Sequence, residues 1–407
     1  MRSILKYLFY IFFFTTFSVF AQSEKVLSGP MLSYIDGYGT QIWFLLDRSV
    51  EKIEIDVRDY ENDNLIEYSF IVTNDYDLDQ IPFTVSIETL LPNTEYIASV
   101  FVDDVFVKDV DIFTKRPHLD DIQFLLASDL DNQSKHMFPY MKETYSDFMV
   151  WLGGYVSFNF PISLEHIISN YVSLRKDDKV ADFMSSIPQI ATWNQRDYGL
   201  GMNSPFSLKD TSHIAFDLFW PNSLKKTYNY TFFDYGLYQR YTYNDVDLFL
   251  LDAMTFRSED KSQLYGDKQI ERLFQEIKNT GATFTIIASP LPFTFDTKES
   301  FLNYQQEFEY FLYRLEVAEI KGVVLLSANS SSGTMMNEYK LAKRLDGSIS
   351  NKKSLFEFNI SPLSMNNYSL VSVSGKQGYR VFSFETYNQN GNIIYRKSLY
   401  ENDLKIN

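Results

Sequence analysis

The stretch that decides the fold is Asp147-Phe148-Met149-Val150-Trp151-Leu152-Gly153-Gly154-Tyr155. Five consecutive apolar residues predict a strand that is buried on both faces, and the two glycines that follow predict a tight turn. The carboxyl end of such a strand is where an α/β enzyme commonly presents a reactive side chain into a cleft. Because Gly153 is followed by a second glycine, the sequence has the scaffold of an active site but no reactive group at this turn.

The composition of the 407 residues allows two or three domains and excludes several kinds of site. There is no cysteine, which rules out disulfides and thiolate metal ligands. The four histidines are scattered along the sequence, so a histidine-rich metal site is not expected. The formal net charge is −16. An acidic surface repels nucleic acid and anionic lipid, and we expect neither as a partner.

The first 21 residues have the pattern of a secretory signal peptide. Arg2 and Lys6 precede an apolar stretch that ends at Val19-Phe20-Ala21. Removing these two basic residues with the segment changes the formal charge from −16 to −18. No later apolar run reaches the roughly 18 residues of a membrane-spanning helix. We therefore predict cleavage after Ala21 and export to the periplasm, the cell surface or the extracellular space, without a membrane span.

Residues 22–115 have the pattern of short β-strands. Lys52-Ile53-Glu54-Ile55-Asp56-Val57 alternates polar with apolar residues, and so does Phe83-Thr84-Val85-Ser86-Ile87. Leu91-Pro92-Asn93-Thr94-Glu95-Tyr96 resembles the corner before a late strand of fibronectin type III domains. We predict a small fibronectin type III-like β-sandwich here. The alternative is a β-rich extension that packs on the main domain.

Beyond a linker at Lys115-Arg116-Pro117-His118, residues 116–407 alternate strands with helices. Apolar residues at helical spacing mark two of the helices, one with Ile270 and Leu273 and the other with Phe308 and Phe311. The candidate strands are residues 122–127, 148–152, 189–193, 247–252, 283–288, 322–327, 369–373, 379–387 and 392–398. This pattern predicts an α/β fold of layered sheets and helices.

The strands and the residues after them resemble the PhoD-like alkaline phosphatase/phosphodiesterase family of metallophosphatases. The scaffold motifs that carry the resemblance are Gly29-Pro30-Met31-Leu32, residues 147–153, Trp193 with Asp197-Tyr198-Gly199, Leu218-Phe219-Trp220, residues 245–252 and 322–327, and Ser361-Pro362-Leu363. The resemblance covers nearly all of the chain after the signal peptide. It implies a metallophosphatase-type αββα sandwich. It also implies two or more metal ions that activate a hydroxide and neutralise a phosphoryl group.

The resemblance fails at the motifs that would hold those metal ions. The family's Gly-Ser-Cys is Ala127-Ser128-Asp129 here, and its Leu-Gly-Asp is Leu152-Gly153-Gly154. Its Trp-Asp-Asp-His-Asp is Trp193-Asn194-Gln195-Arg196-Asp197, and its Ser-Gly-Asp-x-His-His is Ser327-Ala328-Asn329-Ser330-Ser331-Ser332. Most of the carboxylates and all the imidazoles of these motifs are missing. The implied vestigial site consists of Asp129, Gly154, Asn194, Gln195, Arg196, Asp197, Asn329, Ser331 and Ser332.

Several charged residues remain candidates for ligand binding. Asp129, Asp131 and Asp197 are the candidates for residual metal binding, although acidic turn residues also act as caps. Asp197 could also orient its loop through backbone hydrogen bonds. Arg196 and Arg257 could bind an anion such as phosphate. An ion pair between Arg196 and either Asp129 or Asp197 is the favoured interpretation.

The sequence therefore predicts an exported PhoD-like pseudophosphatase, a non-catalytic binding or assembly module without a cofactor. Its partner would be a protein or a small ligand that the sequence does not identify. The alternative is a weakly active phosphatase or phosphodiesterase that holds a divalent metal with Asp129, Asp131 and Asp197. A mouth for a neutral sugar or peptide, lined by Asn194, Gln195, Asn203 and Asn329, is less favoured.

Overall fold

The computed structural model describes residues 25–115, 121–157, 163–199, 209–222, 235–317, 322–340 and 354–404. The predicted signal peptide lies outside these residues, as do Arg116, Pro117 and His118 of the predicted linker and Asn203. Within the described ranges, no helix combines the length and the apolar character needed to cross a membrane.

The N-terminal unit is a β-sandwich of seven antiparallel strands. The strands are β1 (Val26–Leu32), β2 (Thr40–Asp47), β3 (Lys52–Asp59), β4 (Leu65–Ile71), β5 (Gln80–Ile87), β6 (Glu95–Val102) and β7 (Val105–Phe113). They form one sheet in the order β1-β2-β5 and another in the order β4-β3-β6-β7. The alternation predicted in β3 is present, because Ile53, Ile55 and Val57 are fully buried between the sheets while Glu54 and Asp56 point outward.

A tyrosine closes the corner that leads into β6. The hydroxyl of Tyr96 accepts the backbone N–H of Leu91 at 2.8 Å. Asn93 has a φ of 55°, in the left-handed region that asparagine tolerates in turns. This bond fixes the turn against the strand that it enters, as the tyrosine corner does in other β-sandwiches.

The larger unit contains two mixed six-stranded sheets. The strands are β8 (Ile122–Ala127), β9 (Phe148–Leu152), β10 (Gln189–Thr192), β11 (Gln239–Tyr243), β12 (Val246–Leu250), β13 (Phe284–Ser289), β14 (Val323–Ser327), β15 (Met335–Lys340), β16 (Ser354–Asn359), β17 (Asn367–Ser374), β18 (Val381–Asn388) and β19 (Ile393–Tyr400). The orders are β10-β9-β8-β17-β18-β19 and β11-β12-β13-β14-β16-β15. In the first sheet β8, β9 and β10 are parallel, and in the second β12, β13, β14 and β16 are parallel.

Helices cover the outer faces of the two sheets. They are α1 (Phe138–Glu143), α2 (Leu164–Arg175), α3 (Asp178–Met184), α4 (Gln195–Tyr198), α5 (Lys209–Phe219), α6 (Asp267–Lys278) and α7 (Gln305–Val317). Ring contacts join α1 and α3 to β9, where Phe183 packs on Phe138 and on Trp151. Phe274 of α6 packs on Phe311 of α7 along the predicted apolar stripes.

Strand β9 shows why the sandwich has two separate cores. Phe148, Val150 and Leu152 belong to the core between the two sheets, whereas Met149 and Trp151 belong to the core under the helices. Both faces are buried because a sheet lies on one side of the strand and helices lie on the other. The continuous apolar run that begins at Phe148 therefore produces the central strand of an αββα arrangement. The predicted α/β organisation is confirmed.

Three strands of the larger unit were not among the strands predicted from the sequence. Strands β11 and β15 lie at an edge of their sheet and mix polar with apolar residues, so they lack a buried apolar run. Strand β16 is interrupted by Glu357, which is fully buried. The carboxylate of Glu357 accepts hydrogen bonds from the backbone of Phe293 and Thr294. A strand that contains a buried carboxylate cannot be recognised from its local sequence when the hydrogen-bond donors of that carboxylate lie in a distant loop.

The two units share a polar and aromatic interface. The indole N–H of Trp43, on β2, donates to the carbonyl of Leu218 at 2.8 Å. Tyr34 lies against the rings of Tyr241 and Tyr243 and donates its hydroxyl to the carbonyl of Thr242. These contacts fix the sandwich to helix α5 and to strand β11 of the larger unit.

Candidate functional site

The carboxyl ends of β8, β9 and β10 meet at one edge of the first sheet. Because these neighbouring strands are parallel, the residues after them come together although they are far apart in sequence. The backbone N–H of Asp129 donates to the carbonyl of Gly153 at 2.9 Å, which joins the first two turns. Asn194 begins α4 directly after β10. This edge holds the predicted residues Asp129 and Gly154 and the segment from Asn194 to Asp197.

Asp197 is a buried clamp for the turn after β9. Its carboxylate accepts the backbone N–H groups of Gly154, Tyr155 and Val156 at 2.5, 2.8 and 3.0 Å. It also accepts the backbone N–H of Asn194 at 3.1 Å, which completes a capping box at the start of α4. Burial raises the pKa of the Asp197 carboxyl, and the bonds from Asn194, Val156 and Gly154 oppose that shift. Both oxygens of this aspartate are committed to the backbone.

Asp129 is paired with a cation from the same edge. Its Oδ1 accepts a hydrogen bond from the Asn194 side chain at 3.1 Å and lies 3.4 Å from Nη1 of Arg196. Nη2 of Arg196 donates to the carbonyl of Leu130. The favoured ion pair of Arg196 with Asp129 is present. A guanidinium therefore lies beside the carboxylate that the metal-dependent alternative would use as a ligand.

Asp131 and the remaining carboxylates do not complete a metal site. The Asp131 side chain accepts the backbone N–H of Ser134 at 2.7 Å and so caps the short helix that begins there. Across the described ranges, no three His, Asp or Glu side chains form a group that could hold a metal ion. The set of Asp129, Asp131 and Asp197 that the metal-dependent alternative requires is therefore not assembled, because each carboxylate serves a different local contact.

Gly154 has no space for the carboxylate that the family pattern has at this position. A Cβ on Gly154 would lie 2.3 Å from Oδ1 and 2.7 Å from Cα of Asp129. The glycine also has a φ of +77°, a backbone conformation that residues other than glycine rarely adopt. As the turn is packed in this structure, it therefore leaves no room for a side chain at this position.

The predicted residues after β14 lie at the surface. Asn329, Ser331 and Ser332 are all exposed, and Asn329 has a φ of 77°. In the described part of the chain, no hydrogen bond or ion pair joins them to Asp129, Arg196 or Asp197. Gln195 is partly buried, and its Oε1 has no hydrogen-bond partner. The nine predicted residues therefore separate into a connected cluster near Asp129 and an exposed loop after β14.

Arg257 does not have the role that the sequence suggested. Its Nη2 lies 2.7 Å from the Glu299 carboxylate, and both side chains are almost fully buried. The guanidinium also lies 6.0 Å from the ring centroid of Tyr304. A buried arginine with a carboxylate partner is a structural ion pair, because an incoming anion would have to displace Glu299.

Sequence reasoning missed Asp252 as an organiser of this edge. Its carboxylate accepts the indole N–H of Trp193 at 2.8 Å and the backbone N–H of Leu237 at 2.9 Å. It also accepts the backbone and hydroxyl of Thr255. Asp252 thereby links the end of β10 to the end of β12. Its position directly after a buried apolar run was the available signal, but Asp252 was predicted to be the last residue of a strand over 247–252.

Two stacked mixed sheets between helical layers define the class of fold that the family resemblance implied. PhoD itself is similar over 91% of this chain and 92% of that chain, with a TM-score of 0.74 and 13% sequence identity. This similarity establishes a PhoD-like phosphatase fold. No family model and no curated protein matches the chain.

Two further solved structures are similar at much lower scores. The sensor domain of the anti-sigma factor RsgI4 from Pseudobacteroides cellulosolvens covers 23% of this chain and 88% of its own, with 17% identity and a TM-score of 0.18. A glycosyl hydrolase family 2 member from Bacteroides cellulosilyticus covers 91% of this chain and 63% of its own, with 8% identity and a TM-score of 0.28. Neither score supports an argument about fold.

Proposed function

We propose that this chain is an exported member of the PhoD-like family that has lost catalysis and acts as a binding or assembly module. The PhoD-like fold supports the family assignment, and the N-terminal seven-stranded sandwich with its Tyr96 corner is consistent with a fibronectin type III-like domain. A metallophosphatase needs a cage of carboxylates and imidazoles for its metal ions. The residues present at this edge do not fit such a cage.

The contact between Arg196 and Asp129 is the observation that carries the proposal. A guanidinium near this carboxylate repels a dication, and among the described residues Asp129 has an amide and this arginine as its side-chain partners. The other acids of the edge are engaged elsewhere, with Asp197 bound to backbone N–H groups and Asp131 to Ser134. Recruiting either of them for a metal would break contacts that hold the fold.

A hydrolysis assay with a matched variant tests the proposal. Purified protein supplied with calcium, manganese, zinc or iron should hydrolyse p-nitrophenyl phosphate and bis(p-nitrophenyl) phosphate no faster than Asp129→Ala. Elemental analysis should show substoichiometric metal. Turnover by the natural sequence that Asp129→Ala abolishes would overturn the proposal. It would favour the metal-dependent phosphatase or phosphodiesterase instead.

The export part of the proposal rests on the signal-peptide pattern that ends at Ala21. Intact-mass measurement of protein from the native cell envelope should give a chain that begins at Gln22. Retention of residues 1–21 would contradict export by this route, and it would leave the assignment of the site untouched.

A further inference from the structure

Arg175 is a fully buried cation at the interface between the sandwich and the larger unit. It ends α2, and its guanidinium carbon lies 4.8, 4.9 and 4.5 Å from the ring centroids of Trp43, Tyr155 and Trp220. Rings on several sides stabilise the charge through cation–π contacts. One nitrogen, Nη2, donates to the carbonyl of Phe219 at 2.7 Å.

The charge of Arg175 has no carboxylate partner within the described residues. Its remaining polar contact among the described residues is from Nη1 to the thioether of Met31, which is a weak acceptor. Arg380 is buried to nearly the same degree, but it pairs with Asp245 at 2.9 Å and with Asp121 at 3.2 Å. Buried charges are ordinarily paired in this way, because desolvating an unpaired ion is costly. Arg175 is therefore an unusual site that lacks a negative charge.

Two polar atoms at Arg175 are buried and have no hydrogen-bond partner among the described residues, namely Nε of Arg175 itself and the hydroxyl of Tyr155. The indole N–H of Trp220 and the hydroxyl of Tyr171 are also buried and bond to each other, which leaves the Tyr171 proton without an acceptor. The rings that carry them are contiguous, since the ring centroids of Tyr155 and Trp220 are 4.7 Å apart and those of Tyr155 and Tyr171 are 6.5 Å apart. Buried groups of this kind nearly always have a partner in a folded protein.

All four atoms can donate a hydrogen bond. The two N–H groups are donors only. Burial raises the pKa of Tyr155 to about 12 and the pKa of Tyr171 well above its ordinary value, although Arg175 opposes both shifts. The two phenols therefore stay neutral near pH 7 and keep their protons for donation. They cannot supply the missing negative charge as phenolates.

We propose that this cluster is a closed binding site for a small monovalent anion of the halide class. The donors of Arg175, Tyr155 and Tyr171 would bind the anion, and its charge would neutralise the guanidinium. A water molecule could accept some of these bonds, but it would leave the buried charge uncompensated. Aromatic rings already lie within 5 Å of the guanidinium carbon, which favours the smallest anions over a phosphate or carboxylate.

The site would couple the two units of the protein. Met31 and Trp43 come from the N-terminal sandwich, whereas Arg175, Tyr155 and Trp220 come from the larger unit. Tyr155 is also the residue after Gly154, and Asp197 binds its backbone N–H. A bound anion would hold this interface and the turn after β9 in one arrangement. The proposal is independent of whether the edge near Asp129 is catalytic.

Halide-dependent unfolding tests the proposal in solution. The urea midpoint should rise with the logarithm of the chloride or bromide concentration, because the anion binds the folded state. Sodium gluconate at the same ionic strength should not reproduce the rise, because gluconate is too large for a closed site. Tyr171→Phe should lose most of the halide effect. Tyr238→Phe, which removes a buried hydroxyl bonded to Glu276, should keep it.

Crystals grown in bromide give the direct test. An anomalous peak within hydrogen-bond distance of Nε of Arg175 and the Tyr171 hydroxyl is the expected result. A water molecule without anomalous signal at this position would overturn the proposal. The same conclusion would follow if natural protein and Tyr171→Phe responded equally to halide. The conservative Tyr171→Phe change removes one hydroxyl donor, so the test does not depend on a variant of Arg175 folding.

Discussion

Asp197 holds the turn at Gly154 through a buried hydrogen bond of 2.5 Å from the glycine N–H to its carboxylate. These two residues correspond to positions where the PhoD-like family pattern has acidic residues. Here Gly154 donates its backbone N–H, and the carboxylate of Asp197 accepts it. The edge that would hold metal ions in a phosphatase is instead stabilised by hydrogen bonds within the protein.

Replacing Asp197 by asparagine should destabilise the fold strongly. An amide retains one acceptor oxygen and presents an NH₂ group to backbone N–H donors, so at least two bonds are lost. We expect a loss of about 2–4 kcal/mol in the free energy of unfolding, measured by urea denaturation. Asp131→Asn is the matched control, because Asp131 accepts only the backbone N–H of Ser134 among the described residues and an amide oxygen can still accept it, so the loss should stay below roughly 1 kcal/mol. Equal losses of stability in the two variants would show that the hydrogen bonds of Asp197 do not hold the turn after β9.

Gly154→Ala should cost more than a change in backbone conformation alone. Its Cβ would collide with the backbone and carboxylate of Asp129. Gly378 is the matched control, because it has a similar φ of +85° and no atom lies within 4 Å of an added Cβ. We expect about 1 kcal/mol for Gly378→Ala and at least 2 kcal/mol more for Gly154→Ala, from thermal or urea unfolding. If the two costs matched, the space at Gly154 would not be limiting, and restoring an aspartate there would be feasible.

Tyr96→Phe should weaken the N-terminal sandwich. The change removes the acceptor for the Leu91 N–H and leaves that donor without its partner. We expect a loss of about 1–2 kcal/mol in the free energy of unfolding. Tyr60→Phe, at an exposed side chain, should change stability by less than about 0.5 kcal/mol. A neutral Tyr96→Phe would mean that the corner is formed by the turn residues themselves.

His213 should make the fold sensitive to mild acid. Burial lowers the pKa of His213, and the nearby Asp217, Asp252 and Asp210 oppose this shift. On acidification the unfolded chain therefore takes up the proton first, and stability is lost as the pH falls from above the ordinary histidine value through the lowered one. The urea midpoint of the natural sequence should fall more between pH 7.5 and about 5 than that of His213→Gln. Parallel pH profiles would show that this histidine does not titrate differently on folding.

The sequence by itself determined the elements that depend on local patterns. The run of apolar residues from Phe148 produced a strand buried on both faces, and helical spacing of Ile270 and Phe308 with their neighbours produced the core faces of α6 and α7. The predicted loss of metal-ligand residue types also rests on single motifs, and it stays a prediction. Local signals suffice for such features, because the spacing of apolar residues over a few helical turns, or along one strand, determines which face is buried.

The sequence left Arg196 with two possible partners, Asp129 and Asp197, and only the tertiary structure decided between them. Asp129 meets Arg196 across 67 residues, and Asp197 meets Gly154 across 43. The aromatic shell of Arg175 includes Trp43 from the N-terminal sandwich. Strand order and register bring these groups together, and they are properties of the whole chain. Hydrogen-bond satisfaction and steric room at Gly154 follow from that packing, so no local sequence pattern could have specified them.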